Sequence, residues 1–135
     1  MRPVYQRFTI VKSTKPAKKN INDKLQWFGI SLGLFTLRDK NKSSFRIFIE
    51  LLKAAKVGHG LTSDELGEKL RLSRGTVVHH LNKLSEAGLV AIEKNHYHLR
   101  VENLEQLVDE IEKDLERTWA DLHEVAKEID SWLNL

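Results

Sequence analysis

The forty residues from Leu61 to Arg100, LTSDELGEKL RLSRGTVVHH LNKLSEAGLV AIEKNHYHLR, permit few folds. Thr62 and Glu65 stand at the spacing of a capping box, so a helix starts at Ser63. Leu66 and Leu70, four residues apart, give that helix one apolar edge. Gly67 in its middle costs about 0.5–1 kcal/mol relative to alanine, which predicts a close approach by the next helix. Leu72 plugs the turn, and Ser73 is a good cap for a second helix. Val77, Leu81 and Leu84 fall at i, i+4 and i+7 as the buried stripe of that helix, and Gly88 stops it. Leu89 to Ile92 is apolar and β-prone, Lys94-Asn95 is a turn signal, and His96 to Arg100 alternates. The order is helix, tight turn, helix, short hairpin.

This order is what a winged helix-turn-helix requires. The predicted fold class is mainly α with a small β-hairpin wing, completed by a long C-terminal dimerisation helix. Residues 1–20 read as a basic flexible arm, in which Val4 to Val11 has the parity of a short strand and Pro16 breaks a basic linker. Residues 21–102 read as the winged domain with its scaffold helices. Residues 21–37 carry both the helical spacing of Leu25, Phe28, Leu32 and Phe35 and the strand-like alternation of Ile30, Leu32 and Leu34; the favoured reading is a first scaffold helix capped by Asn22 or Asp23. The second is capped by Ser43 or Ser44, with Phe45, Phe48, Ile49, Leu52 and Ala55 on its stripe. RDKNK at 38–42 is a charged loop between them.

Residues 103–135 contain neither glycine nor proline. Leu104, Val108, Ile111, Leu115, Thr118, Leu122, Val125, Ile129 and Trp132 advance by alternating steps of four and three, a heptad seam with Thr118 as its weak member. A helix over 104–133 is about 45 Å long at 1.5 Å per residue, too long for the small domain to cover. The expectation is a coiled-coil-like helix that pairs with a second copy through Leu104, Val108, Ile111, Leu115, Leu122, Val125, Ile129 and Trp132.

Charge is distributed unevenly. Residues 1–20 carry six basic groups and no acid, residues 21–100 carry thirteen basic against eight acidic, and residues 101–135 carry three basic against eleven acidic. The first hundred residues favour a polyanion, and the acidic last helix stays away from it. The face of the second helix left over from the buried stripe holds Ser73, Arg74, Thr76, Val78, His79, Asn82 and Lys83. These side chains can donate and accept in a major groove: Arg74 to guanine, Thr76 and Val78 to a thymine methyl, Lys83 to phosphate. Lys94, Asn95 and His96 form the tip of the hairpin, within reach of an adjacent backbone or minor groove. The predicted partner is double-stranded DNA.

The run LTSDELGEKLRLSRGTVVHHLNKLSEAGLV resembles the winged helix-turn-helix of ArsR-type transcriptional regulators, particularly their archaeal members. Their pattern is matched at Leu72, Ser73, Thr76, Val77, His80, Leu81, Leu84, Ala87, Gly88, Leu89 and Val90. The resemblance covers about residues 45–100. It implies a homodimer that binds a palindromic operator, usually as a repressor. Metal-sensing members use cysteines near the recognition helix, or a carboxylate and histidines on the last helix. This chain has no cysteine, and Asp121-x-His123 is followed eleven residues on by Asn134, so the resemblance does not carry metal sensing over.

The lack of cysteine excludes disulfides, thiolate zinc sites and a cysteine nucleophile, and it fits a cytoplasmic location. No apolar run approaches the ~18–20 residues of a membrane span, so no membrane partner is expected. His96 and His98 share one side of a strand, but two histidines fall short of a structural zinc set. Neither cofactor nor metal is expected. There is no phosphate-cradling glycine loop, no H-E-x-x-H and no nucleophile with its base, so an enzyme is not expected. Two rival functions remain: a winged-helix module that binds proteins without reading DNA, and an effector- or metal-gated sensor with an unknown small-molecule effector.

Overall fold

In the computed structural model, residues 5–17, 20–35 and 42–135 are described. Five helices and one hairpin follow in the order α1 (Ile21–Ser31), α2 (Ser43–Lys56), α3 (Ser63–Leu70), α4 (Arg74–Glu86), β1 (Val90–Glu93), β2 (His96–Leu99) and α5 (Leu104–Leu133). The chain is mainly α with a small β wing, as its patterning predicts.

Helix α2 is the hub. Its Ile47, Phe48 and Leu51 are fully buried and meet Leu66 of α3, Val77, Leu81 and Leu84 of α4, and Leu99 of β2 in one core. The buried stripe is centred on Ile47, Phe48, Leu51 and Ala54, while the expected Phe45, Ile49, Leu52 and Ala55 flank it half-buried. The stripe turns because α2 is packed on two sides, by α4 and by the α3–wing side. Ser43 and Ser44 begin the helix as buried residues inside it, and Lys42 is the cap position.

Helix α1 is shorter than its apolar run. Asn20 caps it, accepting from the Asn22 amide, and it ends at Ser31. Leu34 and Phe35 leave the helix to enter the core, which leaves the run apolar beyond the helix end. Part of the charged loop predicted at 38–42 lies outside the described residues, as do Val4, Arg2, Lys18 and Lys19.

The described part of the arm is docked rather than free. Phe8 packs on the core, the Arg7 amide donates to Glu86 O at 2.7 Å, and the Val11 amide donates to Ser31 O at 2.8 Å. Gln6 Nε2 donates to Ala87 O at 3.2 Å. The physical reason lies in α4, whose last carbonyls have no partner within the helix. The arm supplies donors to two of them. Residues 5–17 form no helix or strand.

The first turns of α5 also belong to the domain. Leu107 and Ile111 are buried in the core and Leu104 packs against it. Two of the positions expected to bind a second copy, Leu104 and Ile111, therefore cover their own domain. The change comes from where the helix starts: Leu99 and Arg100 bring the chain off the wing directly onto the core.

Candidate nucleic-acid interface

The geometry of the two central helices follows from four local devices. Thr62 and Glu65 complete the capping box: the Thr62 amide donates to Glu65 Oε1 at 2.9 Å, and the Glu65 amide donates to Thr62 Oγ1 at 3.1 Å. The Thr62 amide holds the Glu65 carboxyl below the usual range for the same reason. Arg71 closes α3 in the left-handed region, at φ 56°, and the Leu72 amide donates to Gly67 O at 2.9 Å. A Cβ on Gly67 would stand 3.0 Å from Leu72 O, so the close approach predicted for this glycine is made by the turn. Arg46 Nη2 donates to Leu70 O at 2.8 Å and ties the end of α3 to α2.

Ser73 then caps α4. Its hydroxyl accepts from the Thr76 amide at 3.2 Å and lies 2.8 Å from Thr76 Oγ1. Both hydroxyls are engaged in the cap, so Ser73 and Thr76 start the helix as well as facing outward. Arg74, His79, Asn82 and Lys83 are exposed, and Thr76 and Val78 are half-buried. Gly75 stands on the same exposed side with open space around it, one turn before His79. Among the described residues nothing there keeps a groove wall from the backbone. The buried stripe of Val77, Leu81 and Leu84 fixes this orientation from behind.

The wing is a tight antiparallel hairpin that pairs Val90 with Leu99, Ala91 with His98, Ile92 with Tyr97 and Glu93 with His96. Lys94 and Asn95 both have positive φ, 50° and 64°, the geometry of a two-residue type I′ turn. The His96 ring donates through Nδ1 to Lys94 O at 3.0 Å, which pins it to the turn. Lys94 and Asn95 project as the exposed tip. Leu61 adds an outer rung: its amide donates to Tyr97 O at 2.9 Å and its carbonyl accepts from the Tyr97 amide at 2.7 Å. The wing is thus bonded to the residue that leads into α3.

Behind the wing lies an ion cluster that patterning does not disclose. Arg100 pairs through both Nη atoms with Asp114 of α5, the second contact at 3.1 Å, and lies 3.7 Å from Glu110. Arg117 Nη2 donates to the same carboxylate at 2.6 Å. The Asp114 side chain is 2% exposed and that of Arg100 9%. Burial acts to raise the Asp114 carboxyl, but the hydrogen bonds and charge of Arg100, with Gln6 and Arg117, outweigh it and hold the carboxyl below its usual value. Arg100 also reaches Gly88 O at 3.4 Å, just past the end of α4. One guanidinium therefore joins the end of α4, the wing and α5.

Two exposed residues beside the predicted set were missed. Arg71 stands in the turn immediately before α4, and Gly75 lies within the outward face. The signal for Arg71 was its place between Leu70 and Leu72, which marks the turn that would lie along a DNA backbone.

Along α5 the apolar seam divides. Beyond Leu115 it is uncovered: Leu122 is 57%, Val125 and Ile129 each 50%, and Trp132 84% exposed. Among the described residues no helix is long and apolar enough to cross a membrane.

Residues 41–93 match a family model described as a helix-turn-helix domain. The matched span runs from the start of α2 through β1 and contains the whole outward face of α4. A search of curated proteins found no match to this chain. The match and the fold support a DNA-binding regulator.

Proposed function

We propose that this chain is a cytoplasmic, ArsR-like transcriptional regulator that binds a specific double-stranded sequence as a homodimer and represses from an inverted-repeat operator. The single observation that carries the reading is the exposed face of α4, with Arg74, His79, Asn82 and Lys83 held outward by a capped helix inside a matched helix-turn-helix domain. α4 enters the major groove, with Arg74 paired to a guanine and Thr76 and Val78 near a thymine methyl. Lys83 and the wing residues Lys94, Asn95 and His96 contact backbone on either side. The uncovered part of the α5 seam pairs with that of a second copy. Two α4 helices then address half-sites about 34 Å apart, one turn of DNA.

Selection of bound duplexes from a randomised pool tests the proposal. The expected product is an inverted repeat whose affinity falls steeply with salt, because each neutralised phosphate releases counterions. Arg74→Ala should lose about 1–3 kcal/mol of discrimination at one base pair of each half-site. No enrichment at low salt would instead favour a module that binds proteins.

A further inference from the structure

A cavity of about 450 Å³ opens between the docked arm, the segment after α1 and the flank of α4. That volume lies in the range of small-molecule sites. Its floor is apolar, with Leu34, Phe35 and Leu84 all buried there. Its rim is charged: Arg7 comes from the arm and Lys83 from α4, against one acid, Glu86. Neither cation makes an ion pair among the described residues. Ser44, in the first turn of α2, also lines the cavity, and that turn holds no acidic side chain. The partial positive charge of the helix start adds to the two cations.

We propose that this cavity is an effector site for a small carboxylate with an apolar body. The floor of Leu34, Phe35 and Leu84 takes the body, and Arg7 and Lys83 hold the carboxylate. Lys83 connects the cavity to DNA, because one ammonium cannot neutralise a bound carboxylate and a phosphate at once. An occupied cavity therefore weakens duplex binding. This consequence rests on the proposed function, whereas occupancy of the cavity does not.

The test uses the full chain, labelled with nitrogen-15, titrated with octanoate and separately with 1-octanol. Octanoate should give saturable amide shifts at Thr9, Gly33, Ser44 and Lys83, with 1-octanol about tenfold weaker because it lacks the charge. Thr9→Phe, which crowds the mouth, and Arg7→Gln, which removes a cation at an exposed position, should each weaken octanoate by about tenfold while the remaining spectrum is kept. Shifts confined to residues 115–135, equal affinity for the alcohol, or two folded variants with unaltered octanoate affinity would overturn the site. Octanoate at the concentration that half-saturates the parent cavity should lower duplex affinity of the parent, approaching about tenfold at saturation, and about tenfold more octanoate should be needed for the same effect on Thr9→Phe. Octanoate bound in the cavity with unchanged duplex affinity would overturn the gating. A chain that takes octanoate there but binds no duplex would keep the site and overturn the proposed function.

Discussion

Asp114 decides more than its exposed neighbours on α5. A buried ion pair is weak support for net stability, because desolvation offsets the attraction, yet removing one partner strands the other charge. Asp114→Asn leaves the buried Arg100 guanidinium with the Glu110 carboxylate as its remaining paired acid among the described residues, and a loss of about 3–5 kcal/mol in chemical denaturation is expected. The pH dependence has a definite sign. Asp114 has a folded pKa below its ordinary 3.8, so the folded chain binds fewer protons there and stability rises with pH across that window. The contribution is complete above the ordinary value and is lost as pH falls through the lowered one. Thermal melts between about pH 5 and about pH 3 should therefore show the parent losing stability more steeply than Asp114→Asn. An equal slope in both proteins would mean that other carboxylates carry the acid sensitivity. In the sequence Asp114 is one of eleven acids after residue 100 and falls one place before Leu115 of the seam, so it reads as part of a solvated face. Only the return of Arg100 from the wing identifies it, and a contact fourteen residues apart leaves no mark on local periodicity. By contrast Ser73, Val77, Leu81 and Leu84 were fully legible, because capping and the 3.6-residue period are local rules and the core agrees with them.

At the level of elements, the wing combines two demands in one turn. Lys94 sits at φ 50°, where a residue with a Cβ pays about 1–2 kcal/mol, and its ammonium projects from the hairpin tip. Lys94→Gly separates the two. Relief of the backbone, less the extra entropy that glycine loses on folding, should raise stability by about 0.5–1 kcal/mol. The same change should weaken duplex binding and reduce the slope of log affinity against log salt by about one per half-site, the mark of a lost phosphate contact in each. Thermal denaturation and a salt series measure both. A variant that gains stability and keeps the full salt slope would remove Lys94 from the interface. The hairpin itself was legible from the Lys-Asn pair between two β-prone runs. The extra rung from Leu61 on the far side of β2 was not, since a single bridging residue has no period. The arm shows the opposite failure: its composition reads as a tail, but the unpaired carbonyls at the end of α4 give Gln6 and Arg7 a place to bind.

For the whole molecule, α5 sets two electrostatic responses against each other. Its N-terminal turns complete the core through Leu107 and Ile111, while Leu122, Val125, Ile129 and Trp132 lie uncovered beyond it. The heptad spacing made the seam legible but not where it changes partner, because period is blind to the length of the domain beneath. Burying the outer part against a second copy brings together two segments, residues 116–135 of each, that carry five acids and two bases apiece. Apolar burial must exceed that repulsion, and salt screens the repulsion within about 10 Å at 0.1 M. Raising salt should therefore strengthen the dimer while weakening its hold on DNA. Ile129→Glu isolates the first of these. Ile129 is exposed and takes no part in the domain core, so the fold should persist in circular dichroism. Sedimentation velocity should show a monomer where the parent sediments as a dimer, and affinity for a full inverted repeat should fall to that for a half-site. The variant should retain its single-half-site affinity, because no groove-facing side chain of α4 has changed. A variant that remains dimeric at every salt concentration would place the contact between copies elsewhere, with the exposed seam left to another partner.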